Sequence, residues 1–313
     1  MKTYHLTYPH TLSLDTVPET SAAIGFFDGI HQGHQEVIQS SINYAKKLNM
    51  ESAVITFHPH PSEVLRPNNE GVKYITPLKQ KQAILQKMEV DRLYVITFNK
   101  ELAGLAPQDF VDHFICGLHI KHLVAGFDYT FGHKGAGNMD NISSMTKGRF
   151  TCKTIDKVEA NQEKVSSTKI RQLFTEGNMG EVNNLLNRKH RTEGKVVGGD
   201  KRGKELGFPT ANLDIASDVL LPKKGIYAVK VFYKNISYLG LASLGINPTF
   251  TPESNELKLE VHILDFGKEI YGEQLTIEWH SFIRDEMEFT SVDALIAEMK
   301  KDEKIAREYF LKE

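Results

Sequence analysis

Cysteine is scarce: Cys116 and Cys152 are the only two in 313 residues, and they form no C-x-x-C pair. This excludes a disulfide scaffold or a paired-cysteine metal motif, and predicts two reduced, buried thiols in a cytoplasmic protein. Long hydrophobic runs are missing as well. No apolar stretch approaches the ~18 residues of a transmembrane helix, and Met1–Thr7 lacks the apolar core of a signal peptide. Charge of one sign is missing too, since 38 Lys and Arg stand against 40 Asp and Glu. A net charge of −2 gives no electrostatic case for nucleic acid or membrane partners. Repeats and low-complexity segments are absent. What remains is a soluble chain acting on small molecules, with a homo-oligomer left open.

At 313 residues two domains are expected. Ten of the thirteen histidines precede residue 188, so the two halves differ in chemistry as well. The first half alternates apolar strands (22–27, 52–57, 92–98, 122–126) with helical patterns (35–48, 77–88, 107–116). That order predicts an α/β doubly wound parallel sheet, whose ligands bind beyond the carboxyl ends of the strands. Segments 27–34, 58–61 and 127–138 each follow a strand and are placed together at that edge.

The richest of these is Gly25-Phe-Phe-Asp-Gly-Ile-His-Gln-Gly-His34, at a strand-to-helix turn. A helix N-terminus offers unpaired N–H groups and a positive dipole end to an anion. Gly33 permits close backbone approach, and His31 and His34 supply donors for a triphosphate whose leaving group gains charge. His58 and His60, two residues apart, could share a face toward a metal, but no third ligand stands at metal spacing. Segment 126–138 reads either as a flexible surface loop or as a loop over a planar anionic ligand, with Asp128 orienting it. In Lys164-Val-Ser-Ser-Thr-Lys-Ile-Arg171, Ser167 or Thr168 caps a helix whose first turns carry Lys169 and Arg171. Cations there oppose the helix dipole, which a bound triphosphate would explain.

After Arg191 the pattern turns to short alternating strands (192–197, 225–233, 237–244, 257–264, 274–279), which suggests a closed β-barrel. A C-terminal amphipathic helix follows at 291–312, with Leu295, Ile296, Met299, Ile305, Ala306 and Phe310 as its buried stripe. Gly198-Gly-Asp-Lys-Arg-Gly-Lys204 nearly spells a P-loop, but Glu205 replaces the required Ser or Thr and no helix follows. Its glycines can still wrap phosphates with backbone N–H groups. Thr210 and Asn212 are two residues apart, so in extended backbone their oxygens point one way, a pair suited to magnesium carrying nucleotide phosphates. Glu260 lies in an apolar strand on the face of Lys258 and His262. It reads either as part of a solvated face or as a carboxylate with work to do.

His-x-Gly-His with Ser-Ser-Thr-x-x-Arg resembles the nucleotidyltransferase superfamily. With Gly25-x-Phe-Asp-Gly-x-His-x-Gly-His34, His58-Pro-His-Pro61 and Gly126-x-Asp-Tyr-x-Phe-Gly132, the first half resembles the adenylyltransferase module of bacterial bifunctional riboflavin kinase/FAD synthetases. Gly207-Phe-Pro-Thr-Ala-Asn212, Gly225-Ile-Tyr-Ala228, Leu244-Gly-Ile-Asn-Pro-Thr-Phe250, Glu260-Val-His-Ile-Leu-Asp265 and Phe282-Ile-Arg-Asp-Glu286 resemble the riboflavin kinase domain. Lys169 stands where the first family often has arginine, and Gly198 where the second often has histidine.

The resemblance implies a nucleotidyltransferase-like domain at 1–187 and a riboflavin-kinase-like barrel at 188–313. It implies ATP-dependent phosphorylation of riboflavin to FMN in the second, then adenylyl transfer from ATP to FMN in the first, giving FAD and pyrophosphate. Loss of one activity, or a flavin-binding regulator without turnover, is the alternative. ATP and its adenylyl group are assigned to Gly25, Phe26, Asp28, Gly33, Ser166, Ser167, Thr168, Lys169 and Arg171, with His31 and His34 catalytic. Flavin is assigned to His60, Asp128 and Arg284. In the kinase, ATP is assigned to Gly198, Gly199, Lys204, Gly207 and Pro209, substrate-borne Mg2+ to Thr210 and Asn212, and the base to Glu260.

Overall fold

A computed structural model describes residues 1–65, 71–160, 163–199, 206–246 and 257–313. The chain divides into two units, Met1–Ser167 and Thr168–Glu313.

The first unit runs β1 (Lys2–Leu6), β2 (Thr20–Ile24), α1 (Gln32–Leu48), β3 (Glu51–His58), α2 (Pro61–Leu65), α3 (Leu78–Lys87) and β4 (Arg92–Thr97). It continues with α4 (Lys100–Ala103), α5 (Pro107–Phe110, extended as a π-helix through Val111–Cys116), β5 (Ile120–Gly126), β6 (Thr130–Phe131) and β7 (Gly137–Asn138). Then come α6 (Ile142–Thr146), β8 (Thr151–Ile155), β9 (Glu159–Ala160) and β10 (Glu163–Lys164). Six strands form one parallel sheet in the order β1-β4-β3-β2-β5-β8. All five residues of β2 are buried because both faces are covered. Ala22 and Ile24 join the core containing Phe110 and Phe114, while Ala23 joins the one containing Val37, Ile38 and Leu85. Continuous apolar runs, without alternation, are what such a doubly covered strand requires.

Because β3 lies on one side of β2 and β5 on the other, the strand order reverses beside β2. Ligands bind at such a switch point. The carboxyl ends of β2, β3 and β5 share one edge, so the loops after Ile24, His58 and Gly126 emerge together, as the strand–loop order had suggested. Two edge strands, β1 and β8, were not anticipated, and β2 ends at Ile24 instead of Phe27.

The second unit opens with α7 (Ser167–Glu176, entered at the boundary) and α8 (Met179–Leu186). The barrel strands are β11 (His190–Val197), β12 (Thr210–Ile215), β13 (Gly225–Tyr233), β14 (Ile236–Ile246), β15 (Leu257–Ile263) and β16 (Gln274–Arg284), followed by α9 (Val292–Lys312). The strands close antiparallel in the order β11-β12-β15-β14-β13-β16. Helices α7 and α8 are bonded to the barrel. Lys223 N–H donates to Phe174 O at 2.8 Å, and Asn183 Nδ2 to Trp279 O at 2.8 Å.

Trp279, the only tryptophan of the chain, fills the barrel interior with its ring edge against Tyr227. Its indole N–H donates to Thr192 Oγ1 at 2.9 Å, the partner a buried indole needs. Helix α9 is capped by Ser291, whose hydroxyl accepts from Ala294 N–H. Ala306 packs with Ala228 and Leu241, but Ile305 is 39% exposed and does not join the stripe. The helix instead buries Asp302, whose carboxylate accepts two bonds from Arg284, at 3.0 and 2.8 Å. Cys116 and Cys152 are free and half-buried.

Candidate active sites

In the first unit the chain leaves β2 through an unusual turn. Phe27, Gly29 and Ile30 have φ of 53°, 92° and 40°. A left-handed β-branched Ile30 is strained and persists only where its surroundings over-determine it. They do so here. The Asp28 carboxylate is buried and accepts from the N–H groups of Thr76 at 3.0 Å and Ile75 at 3.3 Å. Phe26 O accepts from Thr56 Oγ1 at 2.9 Å and from Lys81 Nζ at 2.7 Å. Lys81 is itself buried, which pushes its ammonium down to about 8, with Asp28 opposing that shift. Nothing in the α3 sequence marks this lysine, since helices commonly carry exposed ones. Gly25 leaves room for the Phe27 ring, which a Cβ would meet at 2.9 Å.

The turn delivers His31 as the N-cap of α1, so the helix starts at Gln32, three residues ahead of the expected 35. Its Nδ1 accepts from His34 N–H at 3.3 Å, so the ring proton sits on Nε2. The two imidazoles stack with centroids 3.6 Å apart. Gly33 accommodates them, since a Cβ there would stand 3.3 Å from the His31 ring.

Two further segments meet this turn. Ser167, the last residue of the first unit, donates its Oγ to Asp28 O at 2.8 Å. His60 sets its ring edge-on to Phe26, centroids 4.4 Å apart, and bonds Ser62 Oγ through Nδ1 at 2.7 Å. Asp128 lies on the loop after β5 and pairs with Lys164 Nζ at 2.7 Å, two residues before Ser166. Lys164 also lies over the Phe127 ring. Thr168, Lys169 and Arg171 follow Ser167 on α7, the last two half-buried.

In the barrel, β12 and β15 pair Thr210 with His262 and Asn212 with Glu260. Side chains directly opposite share a face, so these four form a block, while Leu259, Val261 and Ile263 fill the interior. Thr210 Oγ1 donates to Glu260 Oε2 at 3.3 Å. Hydroxyl, amide and carboxylate oxygens together suit a hard cation. Gly199 lies against this block, where a Cβ would stand 2.1 Å from Asn212 Nδ2; nothing crowds Gly198 or Gly207, the latter at φ 84°. Pro209 precedes Thr210, and its carbonyl is held by His262. Arg284 is committed to Asp302 as described, and Lys204 lies outside the described residues. Gly199→Ala is therefore expected to displace the Asn212 amide. Riboflavin phosphorylation should fall by about 10- to 100-fold, with a raised KM for Mg-ATP in steady-state assays and unchanged FAD formation from FMN.

Among the described residues no group of three or more His, Cys, Asp or Glu is placed to hold a metal ion, and no helix is long and apolar enough to cross a membrane. A parallel sheet with a helix N-terminus at its switch point, followed along the chain by a barrel that carries a block of oxygen ligands on one strand face, fits a nucleotide-handling transferase of two units. Comparison with known proteins sharpens this. The FAD synthetase family model matches residues 15–169 and the riboflavin kinase model residues 186–310. The bifunctional riboflavin kinase/FMN adenylyltransferase of Listeria monocytogenes is 45% identical over 100% of this chain and 99% of its own. That of Bacillus subtilis is 38% identical, over 99% of this chain and 98% of its own. A crystal structure titled macrolide-efflux protein, from Streptococcus pneumoniae, superposes with a TM-score of 0.88 at 33% identity, covering 97% of this chain and 98% of that one. The chain belongs to the family of bifunctional riboflavin kinase/FMN adenylyltransferases, with both domains present in order.

Proposed function

We propose that the barrel phosphorylates riboflavin through Glu260, Thr210 and Asn212, and that the parallel-sheet unit adenylylates the resulting FMN through His31, His34 and the start of α7. The observation that carries the first assignment is the Thr210–Glu260 bond beside Asn212. A primary alcohol is a poor nucleophile at neutral pH, so the kinase needs a base. Glu260 takes the proton of the riboflavin hydroxyl as its oxygen bonds the γ-phosphorus; the bond from that phosphorus to the β–γ bridging oxygen breaks and ADP leaves. Thr210 and Asn212 hold the phosphates with the magnesium that enters as part of Mg-ATP, whose charge offsets that of the phosphates. Gly199 and the neighbouring glycines give the nucleotide close access to backbone.

FMN brings an anionic phosphate and needs no base. It attacks the α-phosphate of ATP, and pyrophosphate leaves. This step asks for positioning and for donors where charge grows. The Nε2–H of His31, the N-terminus of α1 and the Ser166–Arg171 segment supply them. Asp28 acts from below, holding the turn through Ile75 and Thr76. His60, Asp128 and the aromatic residues beside them face the flavin. Arg284, through Asp302, positions the end of β16 on the flavin side of the barrel.

Incubation with riboflavin and Mg-ATP, followed by chromatographic separation of flavins, tests this reading. FMN should appear first and FAD after it; neither forming would overturn the proposal. A domain border at 187/188 predicts that residues 188–313 alone retain the kinase, whereas the bonds from α7 and α8 to the barrel predict that residues 168–313 are needed; kinase assays of both pieces decide between them.

A further inference from the structure

The barrel holds one more polar side chain in the block around Glu260 that the mechanism above does not use. His262 faces Thr210 across the β12–β15 ladder, two residues along the same strand face from Glu260. Its Nδ1 lies 2.8 Å from Pro209 O. A carbonyl can only accept, so Nδ1 carries the proton. The Phe208 ring packs against the same imidazole in an edge-on contact, centroids 5.4 Å apart.

The need for such a bond follows from the sequence of β12. The strand begins at Thr210, and the residue before it is a proline, which has no N–H to donate to a ladder. Two residues before the proline stands Gly207 at φ 84°, with open space around it. Backbone pairing therefore gives out at Thr210, the residue whose hydroxyl must be fixed. The imidazole N–H supplies a substitute rung from β15 to the carbonyl of Pro209.

We propose that His262 is a positioning residue for phosphoryl transfer, its Nδ1–H anchoring Pro209 O so that Thr210 is held against Glu260. This rests on the assignment of Thr210, Asn212 and Glu260 above. His262 touches neither reacting atom in this role.

The two amide replacements of histidine separate this role from any other. Asparagine places an N–H near the position of Nδ1, whereas glutamine places one near Nε2. His262→Asn should phosphorylate riboflavin at close to the wild-type rate. His262→Gln and His262→Ala should lose about 10- to 100-fold in kcat/KM, with the KM for Mg-ATP raised more than that for riboflavin. All three should form FAD from supplied FMN normally, which checks that the chain is intact. Barrel integrity is read separately, from the thermal unfolding of each variant. Glutamine rescuing better than asparagine would overturn the proposal, because it would place the function on Nε2. Equal loss in all three variants, or no loss in any, would overturn it too. Failure of the underlying kinase reading looks different: the wild-type chain would then form no FMN, or Glu260→Gln would still form it.

Discussion

Glu260→Gln should stop the conversion of riboflavin to FMN while leaving FAD formation from supplied FMN untouched. Glutamine matches glutamate in volume and keeps an oxygen that can accept from Thr210 Oγ1, so the β12–β15 block should persist. What disappears is the capacity to take a proton. A positioned general base contributes about 10²- to 10⁴-fold, and the reaction has no built-in substitute because the substrate hydroxyl is neutral. The measurement is FMN formed per minute from riboflavin and Mg-ATP, beside FAD formed from FMN by the same preparation. Retained kinase activity would move the base elsewhere. Loss of both activities, in a folded chain, would contradict the division of labour between the two units.

The second large effect is expected at the other site. Replacing His31 and His34 together by alanine should lower FAD formation by at least about 10²- to 10³-fold, the cost of removing one preorganised donor from a site of charge development. FMN formation should be unchanged. His31 complicates the reading, because its Nδ1 also caps α1 by accepting from His34 N–H. Losing a cap costs about 0.5–2 kcal/mol of stability on its own. His31→Asn separates the two effects. Asparagine is among the preferred N-caps, so thermal stability should return towards wild type, yet it cannot present a donor where Nε2–H stood. FAD synthesis that recovers along with stability would reduce His31 to a cap.

Most of the architecture could be read from the chain before its structure. Strand β13 falls exactly on the expected 225–233, and Ser291 caps the last helix where the pattern placed its start. The edge strands β1 and β8 were missed because an edge strand is half-exposed and breaks the apolar run that marks its central neighbours. Ile305 was misplaced because a helix period cannot say how wide the buried stripe is; the polar Asp302 took the inner position by pairing with Arg284. The motifs proposed to hold phosphate stand out in the chain because their spacing carries chemistry. Their supports do not. Lys81, and the Ile75 and Thr76 N–H groups that hold Asp28, come to the Gly25–Ile30 turn from far along the chain, and His262 bonds a carbonyl that any residue could have offered.

The solitary Trp279 turns the barrel into its own reporter. Its indole is sealed inside the second unit, and no tryptophan exists in the first. Fluorescence excited selectively at the indole therefore follows the folding of the kinase unit alone. Flavin absorbs where tryptophan emits, so a flavin seated in that unit should quench the signal by energy transfer. Occupancy and melting of one half of the molecule can thus be read optically, with no label and no cut between the two units.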